Sequence, residues 1–223
     1  MQGRYCVVIP AYQAADTIGV LVSRVKGQGL PAIVVDDGSH DETASIASAK
    51  GALVISHLRN EGKGSALRTG FEYALRAQYD GVVTIDSDGQ HDPAEISELI
   101  HAGEHQHAGV VVGNRMTGRA TMPRVRLWTN TLMSTVVSAL TRQRIPDSQC
   151  GFRFIRKEVL GSVPLRSRRF EIETELLLRA AARHWKIVSV AVRVNYENHR
   201  SHIRPFPDTI RFISLVLQFL VGR

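Results

Sequence analysis

Residues 81–92 place two acidic side chains directly after a run typical of a buried strand. The β-branched residues at 82–85 predict that strand, Asp86 and Asp88 follow it, and Gly89 allows the chain to turn. Two carboxylates held close together repel each other unless a cation lies between them. Mg²⁺ binds carboxylate oxygen and commonly bridges to substrate phosphates. The pattern therefore predicts a metal–diphosphate site, and a polar acidic turn is the structural alternative.

Two earlier strand ends carry residues suited to a nucleotide. Pro10, Ala11 and Tyr12 end the first predicted strand and are placed to flank a planar ring. Asp36 and Asp37 end the second, where an acid can accept hydrogen bonds from a ribose or a base. Because the carboxyl ends of parallel strands share one edge of a sheet, we expect these acids to face the same crevice as Asp86 and Asp88.

Lys63 lies between two glycines at the predicted start of a helix. Backbone N–H groups at a helix start, together with a lysine, can approach a phosphate. The spacing is not that of a P-loop, because the four-residue spacer and the following Ser or Thr are missing. Each of these segments is ordinary structure when taken alone, so the prediction depends on their order and spacing.

The net charge of +7 is unevenly distributed along the 223 residues. Residues 1–114 hold 8 Lys and Arg against 14 acids, whereas residues 115–170 hold 12 against 2, and 11 of those 12 are Arg. Arginine suits forked phosphate contacts, so the middle segment predicts an anionic partner. No nucleic-acid recognition motif is present, and we predict no nucleic-acid partner. Two distant cysteines without metal-ligand spacing fit a reducing cytoplasm.

Hydrophobic periodicity predicts an α/β protein in which strands and helices alternate through the first half of the chain. The predicted strands are Tyr5–Pro10, Ala32–Asp37, Leu53–His57, Val82–Asp86, Gly109–Gly113, Cys150–Ile155 and Ile187–Val194. The predicted helices are 14–28, 41–50, 62–77, 93–106, Arg124–Thr141, Glu171–Ala182 and Thr209–Val221.

The last predicted helix is apolar except for a narrow polar stripe of Arg211, Ser214 and Gln218. Its apolar run is shorter than the roughly 20 residues that span a bilayer. The pattern favours a helix lying in a membrane interface. Packing on the protein's own core, or on a second subunit in a homo-oligomer, explains it equally simply.

Taken together, the motifs resemble those of glycosyltransferase family 2, in the branch of dolichyl-phosphate mannose synthase and bacterial polyprenyl-phosphate glycosyltransferases. The resemblance implies a GT-A fold, with a Rossmann-like, mostly parallel sheet flanked by helices. The resemblance runs from about Cys6 to Asp208, so we assign residues 1–208 to a catalytic GT-A domain. Residues 209–223 form the amphipathic helix predicted from the pattern above, either as part of the same domain or in contact with a membrane interface. The segments that carry it are Val8-Ile-Pro-Ala-Tyr12, Asp36-Asp-Gly-Ser39, Asn60-Glu-Gly-Lys-Gly64, Asp86-Ser-Asp-Gly-Gln-His91, Gly113-Asn-Arg115, Gln149-Cys-Gly-Phe-Arg153 and Tyr196-Glu-Asn-His-Arg-Ser-His202.

The resemblance also implies roles for individual residues. Those matched to nucleotide-sugar binding are Pro10, Ala11, Tyr12, Asp36, Asp37, Lys63, Asp86 and His202. Those matched to Mg²⁺ or Mn²⁺ are Asp86, Asp88 and Gln90, and those matched to an acceptor phosphate are Arg115, Arg126 and Asn130. The catalytic set is Asp86, Asp88, Arg115, Arg126 and Arg200. Gln13 stands where relatives usually have Asn, so the resemblance does not fix the base of the donor.

The expected activity is a metal-dependent transfer, with inversion, of a hexose from a nucleotide sugar of the GDP-mannose or UDP-glucose type to a polyprenyl phosphate. We expect it at the cytoplasmic face of a membrane, with the protein bound peripherally. If the acceptor were instead a hydroxyl, a base would be required, and Asp147 or Glu173 is the candidate. For both acids, helix capping and ion pairing with the many arginines is the structural alternative. A catalytically silent nucleotide-binding module is the alternative from another class.

Overall fold

The computed structural model describes residues 3–116, 124–194 and 205–221, with side chains for 3–116, 127–194 and 210–221. Its strands are β1 (Tyr5–Ala11), β2 (Ala32–Asp36), β3 (Leu53–Ser56), β4 (Gly81–Thr84), β5 (Val110–Asn114), β6 (Arg153–Arg156) and β7 (Ile187–Ala191). Its α-helices are α1 (Ala15–Gly27), α2 (Thr43–Ala49), α3 (Lys63–Arg76), α4 (Ile96–His105), α5 (Arg124–Thr141), α6 (Lys157–Ser162), α7 (Ile172–Ala182) and α8 (Pro205–Val221). A 3-10 turn, Pro93–Glu95, precedes α4.

The described strands form one seven-stranded sheet in the order β3-β2-β1-β4-β6-β5-β7. β1 pairs in parallel with β2 and β4, β2 with β3, and β5 with β7, whereas β6 runs antiparallel to both of its neighbours. The prediction of a mostly parallel α/β sheet is therefore confirmed. Strands of this kind are buried on both faces, which explains why they read as continuous apolar runs.

The central position of β1 determines where the polar strand ends meet. Ala11, its last residue, lies opposite Asp36, the last residue of β2. On the other side β1 runs parallel to β4, so that Asp86 follows a strand ending at the same edge. The α3 helix packs on β1 and β2, and its N-terminus starts at this edge. The two acidic pairs lie at or just after the ends of β2 and β4, which lie on either side of β1 and run parallel to it, so both pairs belong to strands that end at the same edge of the sheet.

Several predicted boundaries differ from the structure. β4 ends at Thr84, two residues before Asp86, because its ladder with β6 ends where Thr84 meets Arg153. β6 begins at Arg153 rather than at Cys150, since the carbonyl of Gly151 accepts a hydrogen bond from the Thr84 hydroxyl (2.7 Å) instead of a ladder bond. β7 ends at Ala191, where its partner β5 ends at Asn114.

The last helix begins at Pro205, earlier than predicted, and packs against α7. Phe212 is buried, while Ile213 and Leu217 on another side are 51% and 56% exposed. In the part of the chain that the structure describes, no helix has the length and apolar character needed to cross a bilayer. The division of the chain at residue 208 and the possible homo-oligomer stay predictions.

Candidate active site

Asp37 fixes the start of α3 beside the carboxyl ends of β1 and β2. Its Oδ1 accepts from the backbone N–H of Glu61 (3.0 Å), its Oδ2 accepts from that of Gly62 (2.7 Å), and Oδ1 also lies 2.8 Å from His57 Nδ1. A carboxylate that satisfies unpaired N–H groups at a helix start stabilises that end of the helix. Asp37 is therefore buried at the expected strand end, where both of its oxygens hold the segment that carries Lys63.

Two glycines let residues 164–171 pack against the start of α3. Gly62 has a φ of 101°, and a β-carbon there would lie 2.5 Å from the carbonyl oxygen of Arg168. A β-carbon on Gly64 would lie 2.6 Å from the backbone of both Ser167 and Arg168. The N–H of Ser65 donates to the Arg168 carbonyl (3.1 Å). The Gly-Lys-Gly pattern is thus required by close backbone approach.

Lys63 joins two acids that are far from it in sequence. Its Nζ lies 2.6 Å from Asp86 Oδ1 and 2.6 Å from Glu173 Oε1. Burial favours the neutral amine, but the attraction of the two carboxylates outweighs it and holds the pKa of Lys63 above its ordinary value. Burial likewise acts to raise the pKa of Asp86, and the Lys63 charge and hydrogen bond outweigh it, so that this pKa is lowered. Both Lys63 and Asp86 are consequently charged near neutral pH.

Asp86 lies in a space that Gly151 leaves open. A β-carbon on Gly151 would lie 2.6 Å from Asp86 Oδ2, so a larger residue at this position would displace the carboxylate. The Asp86 side chain is 28% exposed, compared with 14% for Lys63 and 7% for Glu173. Asp86 is thus the member of the cluster that water and ligands can reach most easily.

The turn after Asp86 holds its polar groups close to the backbone. The N–H of Gln90 donates to Asp88 Oδ1 (3.0 Å), and the Gln90 side chain is buried. His91 is buried against Phe152, and burial is the main cause that lowers the pKa of His91 to about 4, leaving a neutral ring. Its Nε2 lies 3.7 Å from the sulfur of Cys150. His91 thus packs behind the turn as an uncharged group.

Asp86, Asp88 and Gln90 offer carboxylate and amide oxygens, the donor chemistry that Mg²⁺ and Mn²⁺ take. No group of three or more His, Cys, Asp or Glu side chains with metal-binding geometry occurs among the described residues. Mg²⁺ does not require one, because it is usually held by one or two carboxylates together with substrate phosphates and water. The donor set therefore fits such an ion when a diphosphate completes it.

Arg115 and Asp147 form a second, fully buried ion pair. Arg115 donates from Nε (2.7 Å), Nη2 (2.8 Å) and its backbone N–H (3.1 Å) to the Asp147 carboxylate. The two side chains are 5% and 0% exposed. Burial acts to raise the pKa of Asp147, and the Arg115 hydrogen bonds and charge outweigh it and lower that pKa. Arg115 is thus held rigidly, with two of its side-chain nitrogens directed at Asp147.

Asn130 lies on α5, one turn before the residue that contacts the segment following Asp147. One helical turn later, the Ser134 hydroxyl accepts from the backbone N–H of Ser148 (2.9 Å), next to Asp147, which places this face of α5 against the 147–148 segment. Asn130 is buried, and its Nδ2 has no hydrogen-bond partner within the described part of the chain. A buried amide without a partner is costly unless a ligand or water completes it.

The remaining predicted residues fall into two groups. Pro10 and Ala11 end β1, Tyr12 beyond them is 37% exposed, and Asp36 is buried with its Oδ1 accepting from the Ser39 N–H (3.2 Å). The second group comprises residues whose side chains the structure does not describe, namely Arg126, Arg200 and His202.

Sequence reasoning assigned no role to Arg153, which is the largest fully buried side chain described. Its guanidinium donates to the carbonyls of Cys150 (2.7 Å), Glu173 (2.6 Å) and Ser148 (2.8 Å). It therefore ties the 147–151 segment to the first turn of α7, which carries Glu173. Arg153 ends the Gln149-Cys-Gly-Phe-Arg153 motif, and that motif was the one available signal in the sequence. Its structural role could not be predicted, because backbone carbonyls accept its hydrogen bonds and any residue type can supply them.

Comparison with known proteins identifies the class to which this fold and site belong. Residues 6–163 match the model of the family described as Glycosyl transferase family 2. The chain belongs to this family, which confirms both the resemblance and the predicted class of enzyme, a hexosyltransferase.

Two named relatives are similar over most of the chain. The polyprenol monophosphomannose synthase of Mycolicibacterium smegmatis is 30% identical over 204 residues, covering 85% of this chain and 76% of that protein. The UDP-N-acetylglucosamine–dolichyl-phosphate N-acetylglucosaminyltransferase of Methanococcus voltae is 29% identical over 216 residues, covering 86% of each chain. Both relatives belong, by name, to the predicted branch.

Among solved structures, the glucosyl-3-phosphoglycerate synthase of Mycobacterium tuberculosis is similar in fold. Its complex with Mn²⁺, UDP and glucosyl-3-phosphoglycerate aligns with a TM-score of 0.72 at 23% identity, covering 99% of this chain and 79% of that one. The likeness confirms the GT-A fold that the sequence implied.

Proposed function

We propose that this protein is a metal-dependent, inverting glycosyltransferase that moves a hexose from a nucleotide sugar to a polyprenyl phosphate at a membrane surface. One observation carries the proposal: the ends of β1, β2 and β4 and the start of α3 bring Lys63, Asp86 and the Asp88 turn to one edge of the sheet. Ligands of α/β proteins bind at this kind of edge.

The charges at this edge support binding of a diphosphate together with a divalent cation. The carboxylates of Asp86, Asp88 and Glu173 outnumber the cations Lys63 and Arg153 by one before a diphosphate adds its own negative charge. A diphosphate therefore needs a further cation to bind here. The solved relative that binds UDP with Mn²⁺ supports the same chemistry. When bound, the metal would neutralise charge developing on the nucleoside diphosphate that leaves.

The chain's own residues would orient the donor and its leaving group. Asp88 and Gln90 would hold the metal, with Asp86 beside them. Asp37 holds Glu61 and Gly62, the two residues that precede α3, and so would help to keep Lys63 in position. Its ammonium would add positive charge close to the departing diphosphate. The Pro10–Tyr12 segment would flank the base.

The acceptor side favours a phosphate rather than a hydroxyl. A hydroxyl acceptor needs a base, but Asp147 is fully buried in its pair with Arg115, and Glu173 is paired with Lys63. A phosphate oxygen is already anionic near neutral pH and needs no strong base. The unpartnered Nδ2 of Asn130 would supply one donor to such a phosphate, beside Arg115 and Arg126. The two named relatives support polyprenyl phosphate as the acceptor.

Peripheral binding at the cytoplasmic face of the membrane would bring the enzyme to a lipid acceptor. An exposed apolar stripe on the outer side of α8 supports this location, since a surface helix normally directs polar residues to water. The residues of this stripe are Ile210, Ile213, Leu217, Leu220 and Val221.

The test is a transfer assay that combines candidate nucleotide sugars, Mg²⁺ or Mn²⁺, and undecaprenyl or dolichyl phosphate. We expect a glycolipid product with at least one donor, and loss of that product when a chelator is added. For Asp88→Asn, kcat/KM should drop about a thousandfold, because stabilisation of the leaving group by a metal is worth several kcal/mol. Glu72→Gln, in an exposed ion pair on α3, is the matched control. Glycosylation of a hydroxyl alone would reject the acceptor, and full activity of Asp88→Asn would reject the site.

A further inference from the structure

A cavity of about 730 Å³ lies between α7, α8 and the 164–171 segment, and it is rich in arginine. Arginine forms forked hydrogen bonds with phosphate oxygens and is suited to binding anions at the edge of an apolar surface. The arginines that line the cavity are Arg166, Arg168, Arg179, Arg183 and Arg211.

The acidic residues of the cavity do not balance these charges. Among the described residues, Glu171 and Glu175 are the acids that line it alongside the five arginines, which gives this described lining a formal charge of +3. Glu175 is engaged, because its Oε2 accepts from the N–H groups of Arg166 (3.0 Å) and Ser167 (2.8 Å) and its Oε1 from Arg179 Nε (2.7 Å). Burial acts to raise the pKa of Glu175, and these hydrogen bonds outweigh it and lower the pKa, so the group is charged.

Three of the arginine side chains have no acidic partner among the residues whose side chains the structure describes. Arg166, Arg168 and Arg183 are exposed, and within the described residues none of them forms an ion pair. Like charges gathered around one concave surface repel each other and attract an anion. The cavity therefore has both the volume and the charge to hold a phosphate group.

The helix α8 presents a different kind of surface on each of three sides. Phe212, Val216 and Phe219 pack toward the core. The polar stripe predicted from sequence, Arg211, Ser214 and Gln218, turns toward the cavity.

The third side of α8 is the exposed apolar stripe that includes Ile213 and Leu217. The cavity wall itself is partly apolar, through Leu178, Ala182 and Leu215. Charged groups that can bind a phosphate thus lie directly beside apolar surface that can enter lipid.

We propose that this cavity binds the phosphodiester head group of an acidic membrane lipid, while the apolar stripe of α8 rests among the acyl chains. A soluble phosphate ester would use the same arginines but would leave the stripe in water, so the adjacent apolar surface favours the lipid. The proposal rests on the proposed membrane location but not on the transfer reaction.

The cavity is separate from the donor edge. The 164–171 segment forms its wall and, through Arg168 O, packs against the start of α3 on the other side. Glu173 and Glu175 at the start of α7 point to different partners, Lys63 at the donor edge and the cavity wall respectively. The lipid site is therefore a neighbour of the active site, and both the 164–171 segment and the first turn of α7 contribute to the two sites.

The test compares two double variants of the full chain that lose the same charge. Arg166→Gln with Arg183→Gln removes two cavity arginines that form no ion pair with any described residue. Lys50→Gln with Arg76→Gln removes two exposed charges, one just after α2 and one at the end of α3. Binding is measured by sedimentation with phosphatidylcholine vesicles, with and without phosphatidylglycerol, in the absence of donor and acceptor. Thermal melts check that both variants fold.

We expect the cavity variant to bind the anionic vesicles about 25-fold more weakly than the wild type, because each basic residue near an anionic surface contributes about fivefold. The control should lose clearly less, and neutral vesicles should not distinguish the variants. Equal losses in both variants, or no loss in the cavity variant, would overturn the proposal.

Two further measurements distinguish lipid binding from a soluble ligand and from a direct part in transfer. If calorimetry shows that glycerol phosphate in solution binds through these arginines while vesicle binding does not need them, the ligand is a soluble phosphate ester and the lipid assignment is wrong.

The cavity variant should also transfer sugar normally to a short-chain, water-soluble polyprenyl phosphate, and a loss of this transfer would place the cavity in the transfer site and overturn the proposal. A wild-type protein that transfers nothing would reject the proposed function, whereas arginine-dependent vesicle binding by that same protein would still support the lipid site.

Discussion

The Arg115–Asp147 pair and the cluster of Lys63, Asp86 and Glu173 both join residues that are distant in sequence, but water reaches them to different extents. The members of the first pair are 5% and 0% exposed. In the second cluster, one lysine is shared by two acids, and Asp86 is 28% exposed at the open edge of the sheet. The first pair is closed and balanced, whereas the second is open and has an excess of negative charge.

This difference in exposure suggests different roles for the two groups. The Arg115–Asp147 pair maintains the structure, whereas the Lys63 cluster can change its contacts in response to a ligand. A buried pair is stable only while both partners and their hydrogen bonds are present, so the closed pair keeps its geometry whatever ligand is bound. The open cluster can exchange a contact when a cation or a diphosphate arrives, since Lys63 and Asp86 each lie next to the crevice. We therefore expect a change at Asp147, which holds Arg115, to act mainly on stability, and changes to the open cluster to act mainly on turnover.

The largest expected effect comes from Asp147→Asn. It leaves the Arg115 guanidinium buried without a counter-charge, and the free energy of unfolding should fall by about 3–5 kcal/mol. Urea unfolding followed by circular dichroism measures this. The control is Asp80→Asn, in the exposed pair with Lys157, where the loss should stay below about 1 kcal/mol. Equal losses in the two variants would show that closure of the first pair adds no stability.

The strands that position both sites could be predicted from sequence, but the pairs themselves could not. Runs such as Ala32–Asp36 and Val110–Asn114 are apolar because they are buried on both faces, and that pattern is local. The insertion of β6 between β4 and β5 depends on pairing between segments about 70 and 40 residues apart, which periodicity does not encode. This insertion also explains why the predicted end of β4 was two residues late.

The candidate site shows the same limit. Asp86, Lys63 and Asp37 were predicted because each stands in a short motif at a strand or helix end. Their partners were not predicted, since Glu173 lies 110 residues from Lys63 and Arg115 lies 32 residues from Asp147. Sequence offered each acid either as a possible base or as a helix-capping and ion-pairing residue, and the three-dimensional contacts show that each is paired with a cation, Asp147 with Arg115 and Glu173 with Lys63.

Lys63→Met should reverse the pattern seen with Asp147→Asn. Removing the ammonium takes away positive charge at the leaving group, and kcat/KM should fall about 100-fold. Stability should fall less than in Asp147→Asn, because water and ions reach Asp86 once the lysine is gone. Transfer assays paired with urea unfolding measure both effects, and Lys50→Met, at an exposed position just after α2, is the control. Turnover within about twofold of the wild type would contradict a role for Lys63 in the reaction.

Gly64→Ala tests how the open cluster is supported. The added β-carbon would lie 2.6 Å from the backbone of Ser167 and Arg168, so the 164–171 segment must move away from α3. We expect a stability loss of about 1–3 kcal/mol, typical of overpacking, together with weaker donor binding. Gly27→Ala at the end of α1, where a β-carbon meets no atom within 4 Å, is the matched control. Unchanged unfolding of Gly64→Ala would show that this contact is not tight.

Acid titration gives the smallest effect and compares the two regions directly. The pKa values of Asp147 and Asp86 are both lowered in the folded protein, so the unfolded chain takes up protons first as the pH falls and stability decreases. Between pH 7 and pH 4, protonation of each acid should lower the free energy of unfolding by less than about 1 kcal/mol. Replacement of either acid by Asn should remove its contribution to the pH dependence of stability. Added salt should reduce the contribution of Asp86 to this pH dependence, because its side chain is partly exposed. The contribution of Asp147 should stay unchanged, because salt screens buried pairs only weakly. An equal response to salt in Asp86→Asn and Asp147→Asn would mean that the two regions are equally closed to solvent, and the contrast between a structural pair and a responsive cluster would be wrong.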